Sequence, residues 1–240
     1  MTYFREIQNG KGPKRLLIGG VHGHEGRTTN KALSQISNEE VKNGSLYIYN
    51  FEDSPYISTL DRHYYTTYRG REIISIIRNL KPEMYVELHC YNSNSFEKLT
   101  DIKRKEKTGV PPLIPLEKGV LIGSLSPYIR TSLFNEWDVC ITLEIPCNPI
   151  KEAMDIYLKV LRNIVSSKDK HELLLRLRKD YPKQVETAAR YAVELYWDGY
   201  PPLWVILKKF TFLIFFYTWS FYRGLRGIKK GLNPYKKYGL

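Results

Sequence analysis

Apolar positions fall in short blocks along the chain, and their spacing alternates between continuous runs and helical recurrence. The block Arg15–Gly20, RLLIGG, is a short apolar run closed by two glycines, the pattern of a buried strand ending in a tight turn. RTTNKALSQI follows and sets Ala32, Leu33 and Ile36 on one side of a helix. GSLYIYNF reads as a second strand, and REIISIIRNL places Ile73, Ile76 or Ile77, and Leu80 at helical spacing. EMYVELHC is a third strand, in which Glu87 fits only at the rim or with a partner. Asn92 to Thr108 is polar and basic and predicts a surface loop. In GVPPLIPLEKG, Pro111, Pro112 and Pro115 preclude regular helix and predict a rigid connector. GVLIGS and WDVCITLEIP are two more buried strands, with a short helix, SPYIRTSLFN, between them. The strongest helix is NPIKEAMDIYLKVLRNIV, with Asn148 as its cap and Pro149 in its first turn.

This alternation predicts a three-layer α/β sandwich with a mostly parallel or mixed central sheet over residues 1–166. Residues 167–240 read as a helical C-terminal extension, with amphipathic helices interrupted near Pro182. Residues 210–222 then hold eight aromatics and no charge, a run shorter than the ~20 residues an ordinary membrane span needs. Extending it back to Leu203 takes in Lys208 and Lys209, which disfavours a single span. Two readings of 203–240 stand. Either it lies on an anionic membrane surface, or it packs against the catalytic domain or a protein partner.

Charge sharpens this picture. The formal net charge is +12, but Pro201–Leu240 holds eight Lys or Arg and no acid, which leaves +4 for the first 200 residues. The basicity is a property of the tail, and its aromatics form one block without interleaved lysines, a pattern that does not read as a nucleic-acid stacking groove. Three cysteines give no disulfide framework, and MTYFREIQNGKGPKR has no apolar signal core. The expectation is a reduced, cytoplasmic protein, either free or peripheral at the inner face of the membrane.

Three polar clusters close predicted strands: GGVHGHE, ELHCYN and LEIPCN. Ligands gather at strand carboxyl ends in such folds. His22 and Glu25 form an H-x-x-E pair whose imidazole and carboxylate both suit zinc, and His89 is a third ligand candidate. The plain alternatives are a buried histidine bonded to backbone and an exposed first-turn glutamate. Glu144 lies in a nearly continuous apolar strand, where a carboxylate is either a general base or half of a rim salt bridge. His24 points away from this ligand set, towards the rim. Cys90 and Cys140 read as core residues, and Cys147 either packs or lines the pocket.

Taken together, GGVHGHEG, VELHCYNS and ITLEIP resemble the zinc carboxypeptidase superfamily, above all its succinylglutamate desuccinylase and aspartoacylase branch. The chain also looks like an uncharacterised archaeal family related to it. The resemblance implies one Zn2+ per chain, held by His22, Glu25 and His89, with Glu144 as catalytic base. It further implies hydrolysis of an amide or ester in a small, carboxylate-bearing acylated or short peptide-like substrate. In this branch an Asn-Pro pair and downstream arginines bind substrate. Here Asn50 is present, but Phe51 stands in place of the proline. LDR nominates Arg62 for the oxyanion or carboxylate, with Arg69 or Arg71 as the later arginine. A surface arginine paired with Asp61 or Glu52 is the plain alternative for Arg62. Tyr91 and Asn92, next to His89, are substrate-contact candidates. The alternative function is a non-catalytic membrane-associated or partner-binding protein on a degenerate hydrolase fold.

Overall fold

Seven strands form one mixed sheet in a computed structural model that describes residues 2–135 and 137–197. The strands are β1 (Thr2–Asn9), β2 (Lys14–Gly19), β3 (Gly44–Phe51), β4 (Met84–Tyr91), β5 (Ile114–Pro115), β6 (Leu121–Gly123) and β7 (Val139–Pro146). Their order is β1-β3-β2-β4-β7-β6-β5. The central strands β3, β2, β4 and β7 run parallel, while β1, β6 and β5 pair antiparallel at the two edges. The helices are α1 (Gly26–Leu33), α2 (Tyr68–Leu80), α3 (Phe96–Thr100), α4 (Arg104–Thr108), α5 (Pro127–Leu133), α6 (Lys151–Ser166), α7 (Lys170–Asp180) and α8 (Pro182–Trp197).

Strand alternation divides the side chains between two cores. On one face Leu17, Val86, Leu88, Leu143 and Ile145 pack with Ala32 and Leu33 of α1, Leu161 and Ile164 of α6, and Leu173 of α7. On the other, Leu16, Ile18 and Tyr85 pack with Ile73 and Ile77 of α2 and Ile129 of α5. The sheet therefore has helices on both sides, the three-layer arrangement that the sequence pattern predicts. The compact unit spans Met1–Tyr191, with α7 inside it; of the second unit, Ala192–Leu240, residues 192–197 are described, as the end of α8.

Several features differ from the sequence reading. β1 is an additional edge strand, with Tyr3, Arg5 and Ile7 turned inward and Phe4, Glu6 and Gln8 exposed. The segment read as a surface loop carries α3 and α4, and the proline-rich connector contributes β5. α6 starts after Ile150 without a side-chain cap, so Asn148 does not cap it. Finally, Cys90 and Cys147 are joined in a disulfide, which corrects the expectation of three reduced thiols; Cys140 is the free cysteine. The bond follows from parallel pairing, because Tyr91 lies opposite Pro146 and the Cys147 amide donates to the Tyr91 carbonyl at 3.0 Å.

Buried Arg15 fixes α6 against the sheet. Its guanidinium donates to the Ile164 carbonyl at 3.1 Å, to the Asn43 carbonyl at 2.8 Å and to the Ser167 carbonyl. A cation fully inside the protein is thus satisfied by the carbonyl end of a helix, where the helix dipole also favours it. Among the described residues no helix is long and apolar enough to cross a membrane. The aromatic segment 203–240, with its expected membrane or protein contact, lies outside the described residues.

Candidate active site

The site sits where β2, β4 and β7 end. Gly20 leaves β2 with φ of 68°, and a β-carbon there would collide with the Phe51 carbonyl oxygen, so the sharp exit requires glycine. The chain then bridges sideways: Ser54 donates its amide to the Gly23 carbonyl at 3.1 Å, and Gly23 donates to Pro55 at 3.3 Å. The Ser54 hydroxyl donates to the Gly20 carbonyl at 2.6 Å, and the Tyr64 hydroxyl donates to that of Val21. These bonds hold His22 and Glu25 at the mouth of the turn.

Three donor side chains converge there. His22, Glu25 and His89 each offer one ligand atom, and these atoms all lie within 4.8 Å of one another. His22 Nε2 is 3.2 Å from Glu25 Oε1, and His89 Nδ1 is 3.2 Å from Glu25 Oε2. Glu25 is buried, unlike a routine first-turn glutamate. His89 Nε2 faces Glu87 at 3.5 Å, and Glu87 accepts a hydrogen bond from the Tyr85 hydroxyl at 2.8 Å. The awkward carboxylate of β4 is therefore paired, and it orients an imidazole. Glu144 lies directly across the β4–β7 ladder from His89, so both project from the same face of the sheet.

Charge in this pocket is unbalanced. Three buried carboxylates, Glu25, Glu87 and Glu144, surround two imidazoles. Burial pushes the Glu144 carboxyl up to about 7, with Glu25 and Glu87 adding to the rise and His89 and Arg104 opposing it. Burial holds His22 below its usual range. For His89, burial acts downward, but Glu25, Glu87 and Glu144 outweigh it and hold the imidazole well above its usual range. Two imidazoles and a carboxylate, with spare negative charge around them, suit a divalent cation of the zinc type. A cation there would balance that charge.

His22, His89 and Glu144 open into a cleft of about 230 Å³. A second hollow, about 310 Å³ and lined by Leu113, Pro115, Gln184 and Tyr191 among others, contains no histidine or carboxylate. The titratable cluster therefore borders the smaller cleft.

The other sequence candidates have different surroundings. Asn50 is buried and anchors α1, accepting from the Thr29 hydroxyl at 2.6 Å and donating to the Gly26 carbonyl at 3.0 Å. Arg69 stacks 3.6 Å over Phe51 and donates to the Ser54 hydroxyl and the Asp53 carbonyl, both at 2.9 Å. It braces the turn from behind. Arg62 is exposed, 5.7 Å over the Tyr128 ring, and Arg71 is exposed on α2. Neither lines the cleft. Tyr91 donates to the Gly119 carbonyl at 2.5 Å, and Asn92 is exposed. His24 is exposed and meets Asp53 at 2.6 Å, outside the ligand cluster. The sequence reading missed two cleft-lining cations, Lys98 and Arg104, from the segment read as a loop. Its basic composition was the only signal.

Residues 10–197 match the family described as an uncharacterised protein conserved in archaea, DUF2119. A relative in Methanocaldococcus jannaschii, the uncharacterised protein MJ0501, is 38% identical over 194 residues, which is 76% of this chain and 91% of that one. Solved structures are more distant. A succinylglutamate desuccinylase from Silicibacter sp. is 15% identical with a TM-score of 0.40, over 68% of this chain and 59% of that one. An aspartoacylase family protein from Mesorhizobium loti is 18% identical with a TM-score of 0.38, over 72% and 54%. The chain thus spans little more than half the length of these two structures.

Proposed function

We propose, from the premise that this chain belongs to the DUF2119 family of proteins conserved in archaea, that it is a metal-dependent hydrolase of amide or ester bonds. The observation that supports this reading is the meeting of His22, Glu25 and His89 within 4.8 Å, beside a cleft that His22, His89 and Glu144 line. Zinc, one per chain, would be held by His22, Glu25 and His89. When bound, it supplies a Lewis acid that acidifies water and polarises an acyl carbonyl. Glu144 takes the proton of the attacking water on its carboxylate and returns it to the leaving nitrogen or oxygen. Its raised pKa keeps it near the operating range for that exchange. Glu87, steadied by Tyr85, holds the His89 ring in the orientation that presents Nδ1. Burial of His22 favours the neutral ring a ligand needs. The substrate is a small acylated molecule carrying a carboxylate.

Metal analysis of the full chain tests this. About one zinc per chain is expected, lost on His22→Ala or His89→Ala. Glu144→Gln should keep the metal and lose turnover of acylated amino acids or esters. A chain that retains no zinc after purification in its presence would instead favour a non-catalytic protein on a hydrolase-like scaffold.

A further inference from the structure

Part of the cleft wall is built by the segment between β4 and β6, and its chemistry is distinctive. Lys98 of α3 and Arg104 of α4 both line the cleft, as do the hydroxyl side chains Ser95, Thr108, Ser124 and Ser126. Among the described residues, Leu60 and Leu99 are its apolar side chains. Arg104 is half-buried and donates through Nη1 to the Pro111 carbonyl at 2.7 Å, which fixes its head on the proline-rich connector. Among the described residues no carboxylate lies within ion-pair distance of it; the carboxylate whose charge acts on it is Glu144, which lines the same cleft. A guanidinium has five N–H donors in a planar fork, and the Pro111 carbonyl takes only one of them. Arg69 and Arg130, by contrast, are buried and held by protein oxygens.

We infer that Arg104, with Lys98 at the mouth, forms the anion subsite of this cleft, and that the group bound there is an oxygen-rich anion, a carboxylate or a phosphate, flanked by hydroxyl-bonding atoms. Arg104 grips the anion with the donors that Pro111 leaves available, Lys98 adds positive charge at the entrance, and the hydroxyls bond the remaining oxygens. This inference rests on the hydrolase reading for its catalytic meaning, but the subsite itself stands on residues outside the ligand cluster.

Calorimetric titration of chelator-treated full-length protein separates the two. Malonate and inorganic phosphate are the probes, and the tighter of the two identifies the anion type. Saturable binding is expected, weakened about 10- to 100-fold by Arg104→Gln and less by Lys98→Gln, with partial recovery in Arg104→Lys. Arg62→Gln should bind as the parent does. Lys98 is exposed, so its variant tests the subsite even if the Arg104 variants fold poorly. No saturable binding of either probe, or equal affinity in parent and in folded Arg104→Gln and Lys98→Gln, overturns the inference. Failure of the hydrolase reading would appear as absent zinc or turnover and leave this metal-free binding intact.

Discussion

Removing the Cys90–Cys147 bridge should destabilise the protein without disturbing the site. The bond closes a loop with a sequence separation of 57 residues. In the chain-entropy account, cutting a loop of that size restores freedom to the unfolded chain worth about 4 kcal/mol. The folded state should change little, because eight β4–β7 residue pairs and the Cys147 amide bond to Tyr91 persist without the sulfurs. Some native relaxation and residual unfolded structure bring the expected loss to about 2–4 kcal/mol, or roughly 10 °C in a unit of this size. The assay is urea unfolding of the oxidised chain, the chain held in a dithiol reductant, and Cys90→Ala/Cys147→Ala. Thiol titration of denatured protein, purified without reductant, should find one reactive group, Cys140, before reduction and three after. Three thiols before reduction would show that the bridge does not form. A midpoint that does not move on reduction would refute the loop-entropy reasoning even if the bridge is present.

Other outcomes follow from the same geometry. Glu144 is raised from 4.5 to about 7, so between those values the metal-free native state holds a proton that the unfolded chain releases. Its stability should therefore fall as pH rises from about 5 to about 7, by up to roughly 3 kcal/mol, and His89, raised as well, loses its contribution in the same direction at higher pH. Glu144→Gln should flatten the first part of that slope in urea titrations; stability rising over this window would contradict the burial argument. Arg69→Ala removes the brace on Ser54 and Asp53 and should cost about 2–4 kcal/mol, whereas exposed Arg71→Ala should stay within about 0.5, both read by thermal melts. Glu87→Gln weakens the hold on His89 and should lower zinc affinity about 10- to 100-fold in a chelator competition, with unchanged stoichiometry.

The sequence by itself determined the parallel core strands and their intervening helices, and it pointed to His22, Glu25 and His89, which the fold brings together, and to Glu144 in the adjoining cleft. Those features are local: apolar runs must be buried, and polar groups placed where such runs end are brought to one edge of a parallel sheet. Arg62, Arg69 and Asn50 were legible only as residue types. An arginine or asparagine suits a substrate or a carbonyl equally well, and Thr29, Gly26, Ser54 and Asp53 claimed two of the three. Edge strand β1 was hidden for a different reason: exposed Phe4 interrupts an alternation that its pairing with β3 makes plain. Only tertiary structure joined Cys90 to Cys147, because a register set by the β4–β7 ladder places two distant cysteines side by side. It alone turned Lys98 and Arg104 into the cleft, since the fold of the segment between β4 and β6 over the end of β7 is a long-range contact that no periodicity in those residues encodes.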